Sequence, residues 1–117
     1  MSINPDCLFC KIIGKKIPAT IIHEDEHTLV FKDIKPVAPV HLLIVPKKHI
    51  ADIQSIDQSD REIIGHLLFA AKTVASQNET CRNGYRIVIN NGRDAGQAVF
   101  HIHLHLLSGK HFSWPPG

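Results

Sequence analysis

Short runs of β-branched and aliphatic residues recur along this chain, and each is bounded by proline, glycine or acidic turn residues. Such runs predict β-strands that stop where the turn residues begin. They lie at 20–23, 28–31, 41–45 and 85–90. The spacing between them is short except for one long polar and apolar stretch in the middle of the chain.

That middle stretch has a different period. From 59 to about 77, apolar side chains recur every three or four residues, which predicts one long amphipathic helix. Ser59 is its expected N-cap, with Glu62 three residues on. A shorter helix is predicted at 7–13, ending at Gly14.

The segment 100–107 alternates histidines with bulky apolar residues, which predicts a strand with two different faces. The apolar members, expected to face the core, are Phe100, Ile102, Leu104 and Leu106. The histidines, expected to share the opposite face roughly 6.6 Å apart, are His101, His103 and His105. The strands on both sides of one long helix predict an α+β domain with a mainly antiparallel sheet of about five strands.

Composition adds limits to this interpretation. A chain of 117 residues with 44% hydrophobic residues suits one domain with its own core, spanning 1–117. The net charge of +2 and the scattered lysine pairs do not indicate a partner such as polymeric nucleic acid. No apolar run approaches the ~20 residues that cross a bilayer, and three cysteines fit a reducing compartment, so we expect a cytoplasmic protein.

Three imidazoles on one surface are a candidate reaction centre, because imidazole near neutral pH can attack, carry a proton or bind a metal. One interpretation is a nucleophilic histidine. Another is a metalloenzyme in which His101, His103 and His105 hold an ion, with His41 completing the set and water in the open position. Spacing alone permits both.

The chain resembles the histidine triad (HIT) family, in particular its HINT-like branch of purine nucleoside phosphoramidases. The matching segments run nearly from end to end: 9–13 with Ile17-Pro18, 31–34, 39–41, 45–49, the loop 90–97, the triad itself and the terminal Trp114-Pro115-Pro116-Gly117. The resemblance implies the HIT fold. It also implies hydrolysis of the bond between a nucleoside monophosphate and an amine through a nucleotidyl-histidine intermediate.

By this resemblance, the central His103 is the nucleophile, oriented by a backbone carbonyl near His101. His105 then lies by the phosphate and ribose, and His41 matches a fourth histidine with a supporting role in proton transfer. All four are therefore candidate catalytic residues. A non-catalytic nucleotide sensor on the same fold is a further alternative.

The resemblance also implies a set of nucleotide-binding residues. Asp33 matches the carboxylate that accepts the ribose hydroxyls, and Gly96 and Gln97 match positions that cradle the phosphate. The remaining matches are the apolar purine slot and its neighbours: Phe9, Ile12, Phe31, Ile34, Asn90, Val99 and Trp114, together with His103 and His105 themselves. One departure stands out, because Ala98 occupies a position where this branch often has a hydroxyl residue.

Cys7 and Cys10 form a Cys-x-x-Cys pair, which is a common half of a tetrahedral zinc site. The resemblance supplies the other half as His49 and His101. Four protein ligands make a closed structural site rather than a catalytic one. Two reduced cysteines packed as small hydrophobes are the alternative.

The family usually forms a homodimer, which implies that the sheet is extended across two copies. Residues 110–117 are then a C-terminal arm that reaches the neighbour's site. Pro-rich extended segments of this kind dock with little ordering cost. The expected small-molecule partners are a purine nucleoside monophosphate and its amidates.

Overall fold

The computed structural model describes residues 4–117 and has the predicted α+β architecture. Its strands are β1 (Ile21–Glu24), β2 (Thr28–Lys32), β3 (Val40–Pro46), β4 (Arg86–Val88) and β5 (Leu104–Ser108). Its α-helices are α1 (Leu8–Ile13) and α2 (Arg61–Ser76). Short 3-10 turns occupy Ile53–Ser55, Gln58–Asp60, Glu79–Asn83 and Arg93–Ala95.

The strands form one sheet in the order β1-β2-β3-β5-β4, and every neighbouring pair is antiparallel. This confirms the predicted mainly antiparallel sheet. Strand β3 lies at the centre, paired with β2 on one side and β5 on the other. Strand β4 is an edge strand, so one side of its backbone has no partner strand within the described chain.

Helix α2 covers one face of the sheet. Alternate residues of the central strands, including Val30, Ile44 and Leu106, are buried against it. The helix contributes its own buried stripe, Leu67, Ala70, Ala71, Val74 and Ala75. The stripe follows the predicted helical period, although Leu68 lies outside it and is 61% exposed.

Helix α1 covers part of the opposite face. Gly14 follows its last residue, as predicted, whereas Cys7, expected as the first helical residue, is the N-cap. Phe9 and Ile12 pack with Phe31 and Leu43 in a second buried cluster. Because α1 has only six residues, it covers a smaller part of the sheet than α2 does.

Two local predictions are wrong. Ser59 does not cap α2, because Asp60 takes the N-cap position and forms a capping box with Asp57 one turn earlier. The fourth strand is shorter than predicted and spans only Arg86–Val88.

The histidine segment also differs from its prediction. Strand β5 begins at Leu104, so His101 and His103 precede it and only His105 lies within it. The amide of Ile102 donates to the carbonyl of Ile50 at 2.7 Å, which holds this segment against another part of the chain. Phe100, expected in the core, is 49% exposed, whereas Ile102, Leu104 and Leu106 are buried as predicted.

Neither α-helix within residues 4–117 combines the length and apolar character needed to span a membrane.

Candidate functional site

Strands β3 and β5 bring two histidines together on the face of the sheet that α1 only partly covers. Leu43 pairs with His105, and His41 pairs with Leu107, so the two histidines are diagonal neighbours on one face. Their rings lie 5.2 Å apart between centroids. His103, immediately before β5, places its ring 5.0 Å from that of His105.

The ring of His103 is held by the backbone of the residue two positions before it. Nδ1 of His103 donates to the carbonyl oxygen of His101 at 2.8 Å. Nε2 is then the unprotonated nitrogen of a neutral ring, and it carries the lone pair. The edge of the Phe9 ring packs against this imidazole, with centroids 5.1 Å apart.

His41 contacts three groups. Its Nδ1 lies 3.1 Å from the backbone nitrogen of Val37. Its Nε2 lies 2.9 Å from Nδ1 of His105 and 3.3 Å from Oδ2 of Asp33. The other oxygen of Asp33 accepts from the backbone amide of Lys35 at 2.8 Å, which fixes the carboxylate in a turn.

Burial keeps these imidazoles neutral. It lowers the pKa of His105 to about 4 and also lowers the pKa values of His103 and His41. For His41 the carboxylate of Asp33 acts in the opposite direction but does not cancel the effect of burial. The site therefore presents neutral imidazoles near pH 7, the form in which a ring nitrogen can attack.

A cavity of about 460 Å³ opens beside the histidines. Its volume falls within the range of small-molecule sites, about 300–1,000 Å³. Ten of the predicted nucleotide-binding residues line it: Phe9, Ile12, Phe31, Asp33, Ile34, Asn90, Gly96, Val99, His103 and His105. The cavity is mainly apolar at the α1 end and polar at the histidine end.

Four of the predicted catalytic and nucleotide-binding residues do not line this cavity. His41 lies behind His105, and the ring of His101 points to the cysteines. Trp114 is 81% exposed. Gln97 is buried, and its side-chain amide accepts from Gly92 and donates to the carbonyls of Ala51 and Val99.

Gln97 therefore holds the shape of the loop that precedes the histidines. Within that loop Gly96 has φ +91°, a left-handed conformation that favours glycine. Because Gly96 lines the cavity, this turn brings the backbone close to the histidines.

Other residues line the cavity although the sequence pattern did not single them out as ligands: Leu8, Ile17, Pro18, Ala19, Lys32, Lys35 and Leu43, with Ala98 at the position of the missing hydroxyl. Leu8 and Leu43 are leucines, a residue type that is common in any hydrophobic core. Only their place on the half-covered face distinguishes them. Backbone groups such as the Val37 amide are likewise invisible in a sequence.

A second cluster lies on the other side of His101. The ligand atoms of Cys7, Cys10, His49 and His101 all lie within 4.8 Å of one another, so these residues could hold a metal ion. Nδ1 of His101 lies 3.3 Å from Sγ of Cys7 and 3.2 Å from Nδ1 of His49. Sγ of Cys10 lies 3.6 Å from Nδ1 of His101 and 3.5 Å from Nδ1 of His49.

The geometry of this cluster fits a tetrahedral ion. Metal bonds of about 2.3 Å to sulfur and about 2.0–2.1 Å to nitrogen place a sulfur and a nitrogen ligand about 3.5 Å apart, and two nitrogens about 3.3 Å apart. Nε2 of His101 lies 2.7 Å from the carbonyl of Pro46, which leaves Nδ1 free to face the thiols. The backbone amide of Cys10 donates to Sγ of Cys7.

This fold and this histidine cluster are shared with a known class of proteins. Residues 14–112 match the model of the HIT domain, so the chain belongs to the HIT family. An uncharacterized HIT-like protein of Synechocystis is 49% identical over 112 residues, covering 96% of this chain and 97% of that protein.

Solved structures agree. A HIT family hydrolase from Legionella pneumophila superposes with a TM-score of 0.92 at 50% identity, covering 96% of this chain and 100% of that one. A histidine triad nucleotide-binding protein from Candida albicans gives a TM-score of 0.77 at 35% identity, covering 94% and 83%.

Proposed function

We propose that this chain is a nucleotide-binding hydrolase that cleaves purine nucleoside 5′-phosphoramidates at the α-phosphorus, with His103 as nucleophile. The observation that carries the proposal is the orientation of His103. Its Nδ1 is bound by the His101 carbonyl, and its ring lines an apolar cavity of nucleoside size. The structures of a HIT family hydrolase and of a nucleotide-binding protein with the same fold support it.

In the first step, Nε2 of His103 attacks the phosphorus, and the bond from phosphorus to the amine nitrogen breaks. The departing nitrogen takes up a proton from solvent and leaves as the amine. The attached ring becomes an imidazolium, and the carbonyl of His101 stabilises its positive charge through the Nδ1–H bond. In the second step, water adds to phosphorus, the bond to Nε2 breaks, and a proton returns to solvent.

The nucleoside has a matching surface. Phe9 and Phe31 pack edge to face, with centroids 5.5 Å apart, and provide an apolar wall for the purine ring. Asp33 also lines the cavity, and its carboxylate is suited to accept the ribose hydroxyls. Gly96, Asn90 and His105 line the same cavity and would contact the phosphate.

We propose that Cys7, Cys10, His49 and His101 hold a structural zinc ion. Four protein ligands leave no open coordination position, so the ion would stabilise the fold and provide no reaction chemistry. It would fix the start of α1 to the segment that carries His101. The support is the spacing of the four ligand atoms. Cys7, Cys10 and Cys81 form no disulfide bond, which fits a protein of the reducing cytoplasm.

We further propose a homodimer formed through α2 and the edge strand β4. Leu68 and Phe69 are 61% and 63% exposed, and with Tyr85 and Ile87 they line one shallow apolar groove. Pairing of β4 with its copy would extend the sheet and cover this groove. Residues 110–117 would then form an arm that carries the exposed Trp114 toward the partner's nucleotide site.

The test is release of AMP from adenosine 5′-phosphoramidate by the wild type and by His103→Ala, each with and without a strong chelator. His23→Ala is the matched control, because His23 is a histidine outside the site. We expect wild type and control to turn over with or without chelator, and His103→Ala to lose at least about 10³-fold. Mass spectrometry of quenched wild type should detect one nucleotidyl group on His103.

A second candidate is metal-dependent hydrolysis, favoured by one observation: ligand atoms of Asp33, His41 and His105 lie within 4.8 Å of one another. Activity that disappears with chelator in a protein that remains folded would support it. Nucleotide binding without any turnover would instead support a sensor.

A further inference from the structure

The chain is held firmly at the point where it leaves strand β5. Ser108 ends that strand, and its hydroxyl lies 2.7 Å from the carbonyl oxygen of Gly84 and 3.2 Å from that of Thr80. Gly109 then turns the chain with φ +95°, and a side chain at this position would collide with Pro39. The direction of the segment that follows is therefore fixed at its start.

Arg86 of β4 contacts this C-terminal segment in two ways. Its guanidinium donates to the carbonyl oxygen of Ser113 at 3.0 Å. Its Cζ also lies 5.2 Å from the centre of the Phe112 ring, within the distance of a cation–π contact. The ammonium of Lys110 lies 5.6 Å from the same ring centre. Phe112 is half-buried, whereas the other residues of 109–117 are exposed, so Phe112 is the point at which the segment packs on the domain.

The contact lies on the face of the sheet that carries the histidines. Arg86 pairs with Leu107, and Leu107 pairs with His41. Residues directly opposite each other in neighbouring strands point to the same face, so Arg86 and His41 share a face. The chain therefore enters its last residues on the histidine side of the sheet, at the edge formed by β4. Trp114 does not line the cavity of its own chain.

We infer that Arg86 is a positioning residue that anchors the C-terminal segment to its own subunit through Phe112 and Ser113, so that only residues 114–117 extend toward a second copy. The inference rests on the proposed function and its homodimer. If β4 pairs antiparallel with its copy about a two-fold axis, the histidine faces of the two sheets form one continuous surface. The partner's strand β5 then lies two strand spacings beyond β4, roughly 10 Å away.

Residues 114–117 are long enough to cover this distance, because an extended chain spans at most about 3.6 Å per residue and therefore about 14 Å here. Without the anchor, the whole of 110–117 would sample many directions. Seating Trp114 at the partner's site would then cost more conformational entropy. Arg86 thus acts through Trp114 and does not touch the reacting atoms. This divides the predicted arm 110–117 into an anchored base and a free tip.

The experiment uses the fluorescence of Trp114, the single tryptophan of the chain. We expect Arg86→Ala to raise the acrylamide quenching constant of Trp114 about twofold and to lower its anisotropy, because an untethered chain end moves freely. Arg86→Lys should lie between the two, since lysine keeps a cation but lacks the planar donor fork. Arg82→Ala is the matched control and should behave as the wild type, because Arg82 pairs with Glu79 on an exposed turn.

A second variant separates the anchor from the strand that carries it. Arg86 lies in β4, so its replacement also changes the edge proposed to form the dimer. Phe112→Ala removes the other half of the contact and leaves β4 unchanged. We expect the same rise in Trp114 quenching in Phe112→Ala, while this variant sediments as the wild type does.

Kinetics on adenosine 5′-phosphoramidate test the effect on the site. Arg86→Ala and Phe112→Ala should each raise KM about fivefold and change kcat by less than about twofold, because the tip binds the substrate and does not take part in bond breaking. Unchanged Trp114 fluorescence in the two variants would overturn the anchor, and released Trp114 with an unchanged KM would overturn its role in positioning. If the wild type does not cleave phosphoramidates at all, the proposed function fails, while the fluorescence still tests the anchor.

Discussion

The carbonyl of His101 accepts a hydrogen bond from Nδ1 of His103 at 2.8 Å, while the side chain of His101 faces the thiols of Cys7 and Cys10. One residue thus belongs to two sites. Its backbone orients the proposed nucleophile, and its ring is a potential metal ligand. The two sites are separated by a single residue of chain and by the ring of Phe9, which contacts both His101 and His103.

Removal of the metal ligands should therefore affect both stability and the nucleotide site. We expect Cys10→Ser to lose bound zinc and to lower Tm by about 10 °C or more. KM should also rise, because α1 forms one wall of the cavity. Metal analysis and thermal unfolding measure the first effects. Cys81→Ala is the matched control, because Cys81 is buried in the core beneath α2, away from the metal cluster. This variant should keep its zinc. Equal zinc content in the two variants would contradict the assignment.

Stability should depend on pH through the buried histidines. Burial lowers the pKa of His105 to about 4 from an ordinary value of 6.5, so between these pH values the unfolded chain binds a proton that the folded chain does not. The free energy of unfolding should therefore fall as pH decreases from about 6.5 to about 4, by on the order of 2 kcal/mol for this group.

Denaturant titrations of the wild type and of His105→Gln at several pH values test this effect. The variant should have a shallower dependence on pH. Some dependence should persist, because burial also lowers the pKa values of His103 and His41. Identical slopes in the two proteins would show that His105 is protonated equally in both states.

Restoring a hydroxyl at the cavity should speed the reaction. Ala98 lines the cavity near the histidines, and a serine there can donate to the phosphate or the leaving group. We expect Ala98→Ser to raise kcat on adenosine 5′-phosphoramidate about tenfold. Ala95→Ser, on the same loop but outside the cavity lining, should have no effect. An unchanged rate in Ala98→Ser would mean that the hydroxyl has no role in this chain.

The effect of replacing Asp33 should depend on whether the substrate carries the 2′ and 3′ hydroxyls. We expect Asp33→Asn to lower kcat/KM for the ribonucleoside substrate about tenfold or more, because a charged acceptor for two hydroxyls is lost. The 2′,3′-dideoxy substrate should show a much smaller change. An equal loss on both substrates would assign Asp33 to its contact with His41 instead.

A charge on the α2 groove should separate the proposed dimer. Phe69→Glu places a carboxylate in the exposed apolar groove, and we expect this variant to sediment as a monomer at micromolar concentration, where the wild type is a dimer. Ile22→Glu is the control, because Ile22 is 40% exposed on the opposite edge strand. A wild type that sediments as a monomer would exclude this interface.

Sequence patterns predicted the strands and both helices because each strand contains a short run of β-branched or aliphatic residues with a turn at its end. The same reasoning failed at His101 and Phe100. Alternation assumes a continuous strand, but the segment before Leu104 bonds to Ile50 and turns His101 toward the cysteines. The start of strand β5 and the direction of the His101 ring therefore depend on long-range contacts, which the local sequence pattern does not contain.

The candidate site divides in a similar way. Side chains with distinctive chemistry, such as Asp33 and His103, could be proposed from a resemblance of motifs. The Val37 amide and the Pro46 carbonyl could not, because every residue has a backbone and only the fold selects which one faces a ring. The apolar wall of the cavity was predicted only in part. Phe9 and Phe31 were proposed, but Leu8 and Leu43 were missed because leucine is common in any hydrophobic core.

The short length of α1 has a thermodynamic consequence. The six residues of α1 give a helix about 9 Å long, whereas the five-stranded sheet is about 19 Å wide. Part of the face that α1 packs against is therefore left uncovered, whereas α2 covers the other face. A purine seated in that gap would complete the missing apolar layer. Nucleotide binding would then bury this apolar surface, and it would raise the free energy of unfolding of the whole domain.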